Sequence, residues 1–408
     1  MPVFAHGFDA SRLQRISDHL QRRYIEPGKV VGCQTLVARH GEVSYFASFG
    51  QADRERSKPL ADDTLFRIYS MTKPITSVAL MMLYERGLFQ LNDPISRFVP
   101  SWQTQRVWVA GEGEALQTEP AKRAVTFKDL LSHTGGLTYG GGLPGVGVEH
   151  PVDHSYRKLG IRTFNGRDDL STFIDKLGQV PLAFQPGQHF MYSVSTDACG
   201  ALVERLSGQR FDTFLQENIV EPLGMRDTSF QVPASKQARF AANYQRQPDK
   251  TLKLIDDPTD SPYLQPPKLL SGGGGLVSTS RDYLRFCEML RLGGALDGQR
   301  LLGSRTIELM RKNHLPGGKM MADLAVGKYA ESATDGVGFG LGFASTQDQL
   351  AANSISQGDY YWGGAASTIF WIDPEEELVV IFMTQLMPSR SFDFRGQLKN
   401  LVYSALVD

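Results

Sequence analysis

Ser70 and Lys73 stand one helical turn apart in the run Ser70-Met71-Thr72-Lys73, a hydroxyl and an amine on what would be one helix face. Residues 75–83 follow at once and are apolar nearly all round, which predicts a helix buried on most sides. Glu85, Arg86 and Gly87 supply a polar last turn and a glycine stop. Pro74 is tolerated only in a first turn, where its missing N–H costs nothing. Ser70 is therefore expected at a helix N-terminus. There a neutral amine can take the hydroxyl proton, and the positive end of the helix favours the oxyanion that forms next.

The spacing alone says little, because serine followed three residues later by lysine arises by chance about once in a chain this long. A second copy occurs at Ser155-Tyr156-Arg157-Lys158, in a polar stretch with His150, Asp153 and His154 and no apolar helix behind it. That copy reads as surface loop.

An acylating serine also needs a proton path to the leaving group and donors for the oxyanion. In residues 184–193 a Pro186-Gly187 turn delivers Tyr192 just ahead of a helix predicted from about residue 196. With an ordinary pKa of ~10, a tyrosine is a poor base at neutral pH unless a cation lies beside it, and Lys73 would be that cation. In Trp362-Gly363-Gly364-Ala365, two glycines ahead of an apolar strand let a backbone N–H approach a reacting carbonyl. The N–H groups of Ala365 and Ser70 are the candidate oxyanion pair. Glycine at every second position from 336 to 342 bares one strand face for a closely packed helix. The glycine-rich stretch 135–148 lacks the lysine and hydroxyl of a phosphate loop and reads as an ordinary loop. Among the aromatic candidates for a pocket wall, Trp102, Trp108, Tyr139, Tyr360 and Trp362, only Trp362 sits in a motif; Tyr139, Trp362, Gly363 and Gly364 are assigned to substrate binding.

These residues must be positioned by the rest of the chain. A helix is predicted over 11–25 and strands over 32–38 and 43–49. Mostly helical sequence follows from 93 to about 270, with helices near 127–131, 170–177, 196–206 and 212–219. A helix over 280–292 leads to strands over 336–343, 366–372 and 378–384 and a last helix over 392–406. Strands at both ends imply one sheet built from both termini, an α+β lobe of residues 1–85 and 271–408, interrupted by a mostly helical domain of residues 86–270. The site would lie in the cleft between them. The 408 residues suffice for two such lobes.

With a net charge of −1 and scattered lysines and arginines, neither nucleic acid nor a membrane surface is an expected partner. The run after Ser70 is too short to span a bilayer. The first residues have neither a charged n-region nor an apolar h-region, so no signal peptide is expected. Cys33, Cys199 and Cys287 are widely spaced in apolar surroundings and read as free thiols of a reducing, cytoplasmic compartment. Apart from His150 and His154, which stand four apart in the polar stretch of the second S-x-x-K copy, the eight histidines show no metal-ligand spacing, and there is no CxxC, so neither metal nor cofactor is expected.

The order S-x-x-K, then Tyr192-Ser193, then Trp362-Gly363-Gly364 before a late strand resembles the serine β-lactamase and penicillin-binding-protein superfamily. Within it the chain is most similar to the family VIII carboxylesterases, whose relatives include class C β-lactamases and some acyltransferases and amide hydrolases. Supporting segments are residues 130–137, Pro222-Leu223-Gly224-Met225, and residues 274–279. The resemblance implies a β-lactamase/transpeptidase-like α+β fold. It also implies Ser70 as the acylated nucleophile, Lys73 and Tyr192 as the proton-transfer pair, Ser70 and Ala365 as oxyanion donors, and a structural His133. Two departures point to the subclass. The lactamase-like tyrosine motif ends in asparagine, where this chain has Val194, and the third motif begins with lysine or histidine, where it has Trp362. An indole in place of a cation removes charge-assisted recognition of a carboxylate and adds apolar surface.

The expected activity is hydrolysis of small neutral or apolar carboxylic esters through an acyl-enzyme on Ser70. Rival expectations are an acyltransferase with a bulky alcohol acceptor, an amide hydrolase or weak β-lactamase, and, from another class, a binding protein whose site has decayed. The absence of a G-x-S-x-G elbow argues against an α/β-hydrolase.

Overall fold

The computed structural model describes residues 4–141, 149–163, 166–326 and 335–407; positions 142–148 of the glycine-rich stretch lie outside them. Asp9 caps helix α1 (Ala10–Leu20) by accepting from the backbone N–H groups of Ser11 and Arg12, and Leu13, Ile16 and Leu20 form its buried stripe. A π-helical turn, Gln21–Ile25, then carries Tyr24 into the core.

Strands β1 (Gly32–Arg39) and β2 (Glu42–Asp53) form the expected hairpin, with β3 (Lys58–Pro59) at its edge. The chain leaves the sheet for helix α2 (Thr72–Glu85). It rejoins at β4 (Val337–Phe339), β5 (Ala344–Thr346), β6 (Tyr360–Gly363), β7 (Ile369–Asp373) and β8 (Leu378–Thr384). The spatial order is β4-β5-β6-β7-β8-β1-β2-β3, antiparallel throughout. The two ends of the chain meet where β8 pairs with β1, from Thr384 opposite Cys33 to Leu378 opposite Arg39.

Every residue of β1 and β8 is buried, so both faces of the sheet are covered. The register sets Phe382 opposite Ile369 and Phe370 opposite Ile381, so Phe382 and Phe370 point to opposite faces. Phe382 meets Phe394 at a ring distance of 4.7 Å, and Phe370 meets Tyr283 at 5.1 Å. Burial of such a side chain contributes roughly 1.5–3 kcal/mol. Between α2 and β4 the helices that matter below are α3 (Ser195–Ser207), α4 (Ser280–Arg291), which carries Tyr283, and α5 (Ser304–Arg311). Phe394 opens the last helix, α6 (Phe394–Tyr403). Among the described residues no helix is long and apolar enough to cross a membrane.

The glycine alternation does what its pattern implies. A side chain at Gly340 would collide with the carbonyl of Met310 at the end of α5, and one at Gly338 would meet Asn313 at 2.6 Å. Other expectations are corrected. Residues 86–270 carry no strand of the large sheet, yet they hold two hairpins beside their helices: Arg106–Ala110 with Gln117–Pro120, and Asn243–Arg246 with Leu252–Asp256. Ser155 lies on a short helix, Asp153–Lys158, not a loop. Buried Asp153 anchors it by accepting from Thr138 Oγ1 at 2.6 Å and His150 N at 2.9 Å, while Lys158 faces outward to Glu114.

Candidate active site

Ser70 is the middle residue of a 3-10 turn, Tyr69–Met71, that runs straight into α2. Tyr69 has φ +41°, the left-handed region where a bulky residue is strained. Its hydroxyl accepts from Asn243 Nδ2 at 2.9 Å, and burial pushes its pKa up to about 12. Residues 72–83 are all buried, as the apolar run implies. At the far end Gly87, with φ +74°, closes the helix by donating to Tyr84 O, and Leu88 N reaches back to Leu83 O.

One turn on, Lys73 is only 1 % exposed. Its Nζ donates to Ser70 Oγ at 3.2 Å and to the Gly273 carbonyl at 2.5 Å. The same ammonium lies 4.6 Å from the Tyr192 ring centroid and 5.7 Å from that of Tyr139. Buried rings and a carbonyl thus hold the amine against the serine.

Tyr192 enters just before α3. Its hydroxyl oxygen accepts from Trp362 Nε1 at 3.0 Å, and the two rings are 5.2 Å apart. His133 packs on the same phenol at 4.9 Å. Burial, and secondarily the charge of Lys73, pushes the His133 pKa well below its usual value, so the ring is neutral. Ser193 Oγ lies 3.3 Å from one ring nitrogen and Thr196 Oγ1 3.4 Å from the other.

Trp362 is the penultimate residue of β6, and Arg395 on α6 donates to its carbonyl at 3.0 Å and to Phe370 O at 2.9 Å. Gly364 then turns the chain toward β7, its N–H bonded to Thr368 O at 2.7 Å. A Cβ there would sit 2.5 Å from the carbonyl of Ile68 and collide with Thr368, so only glycine lets this turn lie against the segment that leads to Ser70.

Ser70, Tyr139 and Ala365 share the wall of a cavity of about 370 Å³, together with Phe230, Tyr263 and Leu269. Trp362, Gly363 and Gly364 form no part of that wall. Trp362 is 8 % exposed, with its indole given to Tyr192 and to Phe339 at 5.2 Å. Four residues expected to touch substrate therefore divide: Tyr139 borders this cavity, while Trp362 and the glycines lie around the tyrosine and the turn.

One residue was not singled out in the sequence. Asp197, in the first turn of α3, is fully buried and borders the same cavity. Its Oδ1 accepts from Ser271 Oγ at 2.5 Å and from Gly273 N at 3.0 Å. Burial raises its pKa, opposed by the charge of Lys73. The available signal was an acid in a helix first turn five residues after Tyr192, which any exposed N-terminal aspartate would also give.

A family model described as Beta-lactamase matches residues 18–404, and the chain belongs to that family. It is 33% identical over 376 residues to Protein Rv1367c of Mycobacterium tuberculosis, covering 91% of this chain and 90% of that one. It is 31% identical over 397 residues to Esterase EstB of Burkholderia gladioli, covering 93% and 92%. Among solved structures it is similar to EstCE1, described as a hydrolase with promiscuous acyltransferase activity. That match has a TM-score of 0.77 at 28% identity and covers 97% of this chain and 98% of that one. The fold is accordingly the β-lactamase/transpeptidase-like α+β arrangement expected.

Proposed function

As a member of the Beta-lactamase family, the chain is, we propose, a serine carboxylesterase that cleaves small neutral or apolar esters through an acyl-enzyme on Ser70. The observation that carries this reading is the buried Lys73 amine held 3.2 Å from Ser70 Oγ, with the Tyr192 phenol against it. Ser70 Oγ bonds to the ester carbonyl carbon while the carbonyl electron pair moves onto oxygen. The N–H groups of Ser70 and Ala365 receive that oxyanion. Lys73 and Tyr192 carry the serine proton to the departing alkoxide, which leaves as alcohol. Water then attacks the acyl-enzyme, giving up its proton through the same pair, and the acid is released. The kinship with Esterase EstB and the apolar residues Phe230, Tyr263 and Leu269 beside Ser70 support an uncharged ester as substrate.

Acyl transfer to an alcohol is the second reading, favoured by the likeness to EstCE1. It needs only that an alcohol take the place of water at the acyl-enzyme. Two further assignments belong with the proposal. Residues 1–85 with 271–408 form one lobe and 86–270 the other, supported by the segments that supply the large sheet. The compartment is cytoplasmic, supported by three buried free thiols.

The test is intact-mass detection of an acyl-enzyme, with turnover, across esters, an amide and a β-lactam. Ester adducts that form and turn over fastest, and that vanish with hydrolysis and phosphonate labelling in Ser70→Ala, are expected. Retained hydrolysis in that variant refutes the assignment of Ser70, and faster turnover of the β-lactam refutes the choice of substrate.

A further inference from the structure

We infer that Asp197 is a positioning residue for Lys73: its buried carboxylate, acting across the backbone of Gly273, is the counter-charge that holds the Lys73 side chain between Ser70 and Gly273. The inference rests on the reading of Ser70 and Lys73 given under Proposed function and deepens it by naming the group that orients Lys73.

Asp197 and Lys73 are both buried, and neither makes a direct ion pair among the described residues. Asp197 is 0 % exposed, and among the described residues no arginine, lysine or histidine lies within ion-pair distance of it. Both of its donors, the Ser271 hydroxyl and the Gly273 N–H, point at Oδ1, while Oδ2 is buried with no hydrogen-bond partner. Burial disfavours the ionised form of this carboxyl, while the charge of Lys73, the Ser271 hydroxyl and the Gly273 N–H favour it. Lys73 is equally buried and makes its hydrogen bonds to a hydroxyl and a carbonyl, not to an acid. A lone buried charge of either sign is costly, and each of these is offset by the other.

Gly273 is the joint between them. Its N–H is bonded to Asp197 and its carbonyl to Lys73, so one residue's backbone lies between the two charges with its donor toward the anion and its acceptor toward the cation. A side chain at 273 would collide with Asp197 Oδ2, which shows how closely the carboxylate abuts that backbone. The other titratable groups nearby are His133, Tyr139, Tyr192 and Cys199. His133 is neutral, and burial raises the thiol of Cys199 far above its ordinary range. Neither compensates Asp197. Lys73 remains.

Asp197 thereby fixes where the Lys73 amine lies, 3.2 Å from Ser70 Oγ and 4.6 Å from the Tyr192 ring centroid.

The test is a double-mutant cycle on the whole chain, with Asp197→Asn, Lys73→Met and the double variant. Asparagine keeps the shape and an oxygen for both donors while removing the charge, its amide NH2 taking the place of Oδ2. In thermal unfolding each single variant should melt below the wild type and the double variant should recover most of the loss. With an uncharged chromogenic ester, Asp197→Asn should lower kcat about tenfold or more with KM within twofold. The same substitution should have no further effect on the residual rate in the Lys73→Met background. A Lys73→Met protein that fails to fold while the double variant folds also supports the pairing. Additive losses in melting temperature, a double variant that does not fold, or an Asp197→Asn protein with wild-type kcat overturns it. A wild type without ester turnover or Ser70 labelling refutes the parent reading instead; the melting cycle still decides the charge pairing.

Discussion

Replacing Trp362 with phenylalanine separates two roles for this residue, substrate surface and partner of Tyr192. The phenyl ring keeps an aromatic face toward Phe339 and Tyr192, each 5.2 Å from the indole, and loses the Nε1–H that Tyr192 accepts at 3.0 Å. A hydrogen bond to a neutral oxygen nets about 0.5–1.5 kcal/mol, and one to a charged oxygen about 1.5–3 kcal/mol. Only the difference, about 1–1.5 kcal/mol, is gained as the phenol oxygen takes on negative charge in the transition state. At 1.36 kcal/mol per decade, kcat should fall about tenfold. Because the indole lies outside the described cavity wall, KM should stay within about twofold. Steady-state kinetics on an uncharged chromogenic ester, with folding checked by thermal melting, measures both. A kcat within twofold of wild type together with a KM raised severalfold would refute the reasoning and return Trp362 to the substrate surface.

Gly340→Ala should destabilise the fold by about 1–3 kcal/mol in urea titration, because the new methyl collides with the Met310 carbonyl, and its spectroscopic signature should be loss of stability without loss of specific activity. Lys399→Met should cost about 3–5 kcal/mol, since Lys399 Nζ bonds Oδ2 of buried Asp359 at 2.6 Å and Oδ1 has no hydrogen-bond partner; adding Asp359→Asn should restore much of it. Arg239, then Lys236, hold the pKa of Asp227 down to about 2 from an ordinary 3.8. Its contribution is therefore complete above 3.8 and vanishes as pH falls toward 2, and exposure keeps it below about 1 kcal/mol. Acid-unfolding curves of Asp227→Asn should lose that part of their slope and match the wild type near pH 2.

The parts of the site that were legible in sequence were those carried by local pattern. Helix α2 announced itself through unbroken burial and a glycine stop, Tyr192 through the turn before α3, and the bare face of residues 336–342 through strict alternation. Trp362 shows where pattern stops. Its type and place were visible, but the expectation of an indole facing substrate could not anticipate that the phenol of Tyr192, 170 positions away, would claim its N–H. Asp197 is the same lesson in electrostatics: nothing adjacent marks it as buried until the fold lays the glycines after Ser271 across it. The hairpins within residues 86–270 are hidden by their brevity: Leu252–Asp256 alternates over only Leu252-Lys253-Leu254 before Ile255 and Asp256 break the apolar pattern.

The seam between β1 and β8 has a consequence for how the protein is made. During synthesis β1 emerges early and can pair with β2, but its other edge must wait for residues 378–384, some 340 positions later. Until then a strand that is buried along its whole length in the finished sheet leaves one edge open, a template for pairing with other chains. Ser70 and Lys73 emerge early too, yet Trp362 and Ala365 arrive with the same late segment that closes the sheet. A nascent or truncated chain would therefore carry Ser70 without the turn proposed to supply its second oxyanion donor, and the proposed site would be completed together with the burial of the aggregation-prone edge.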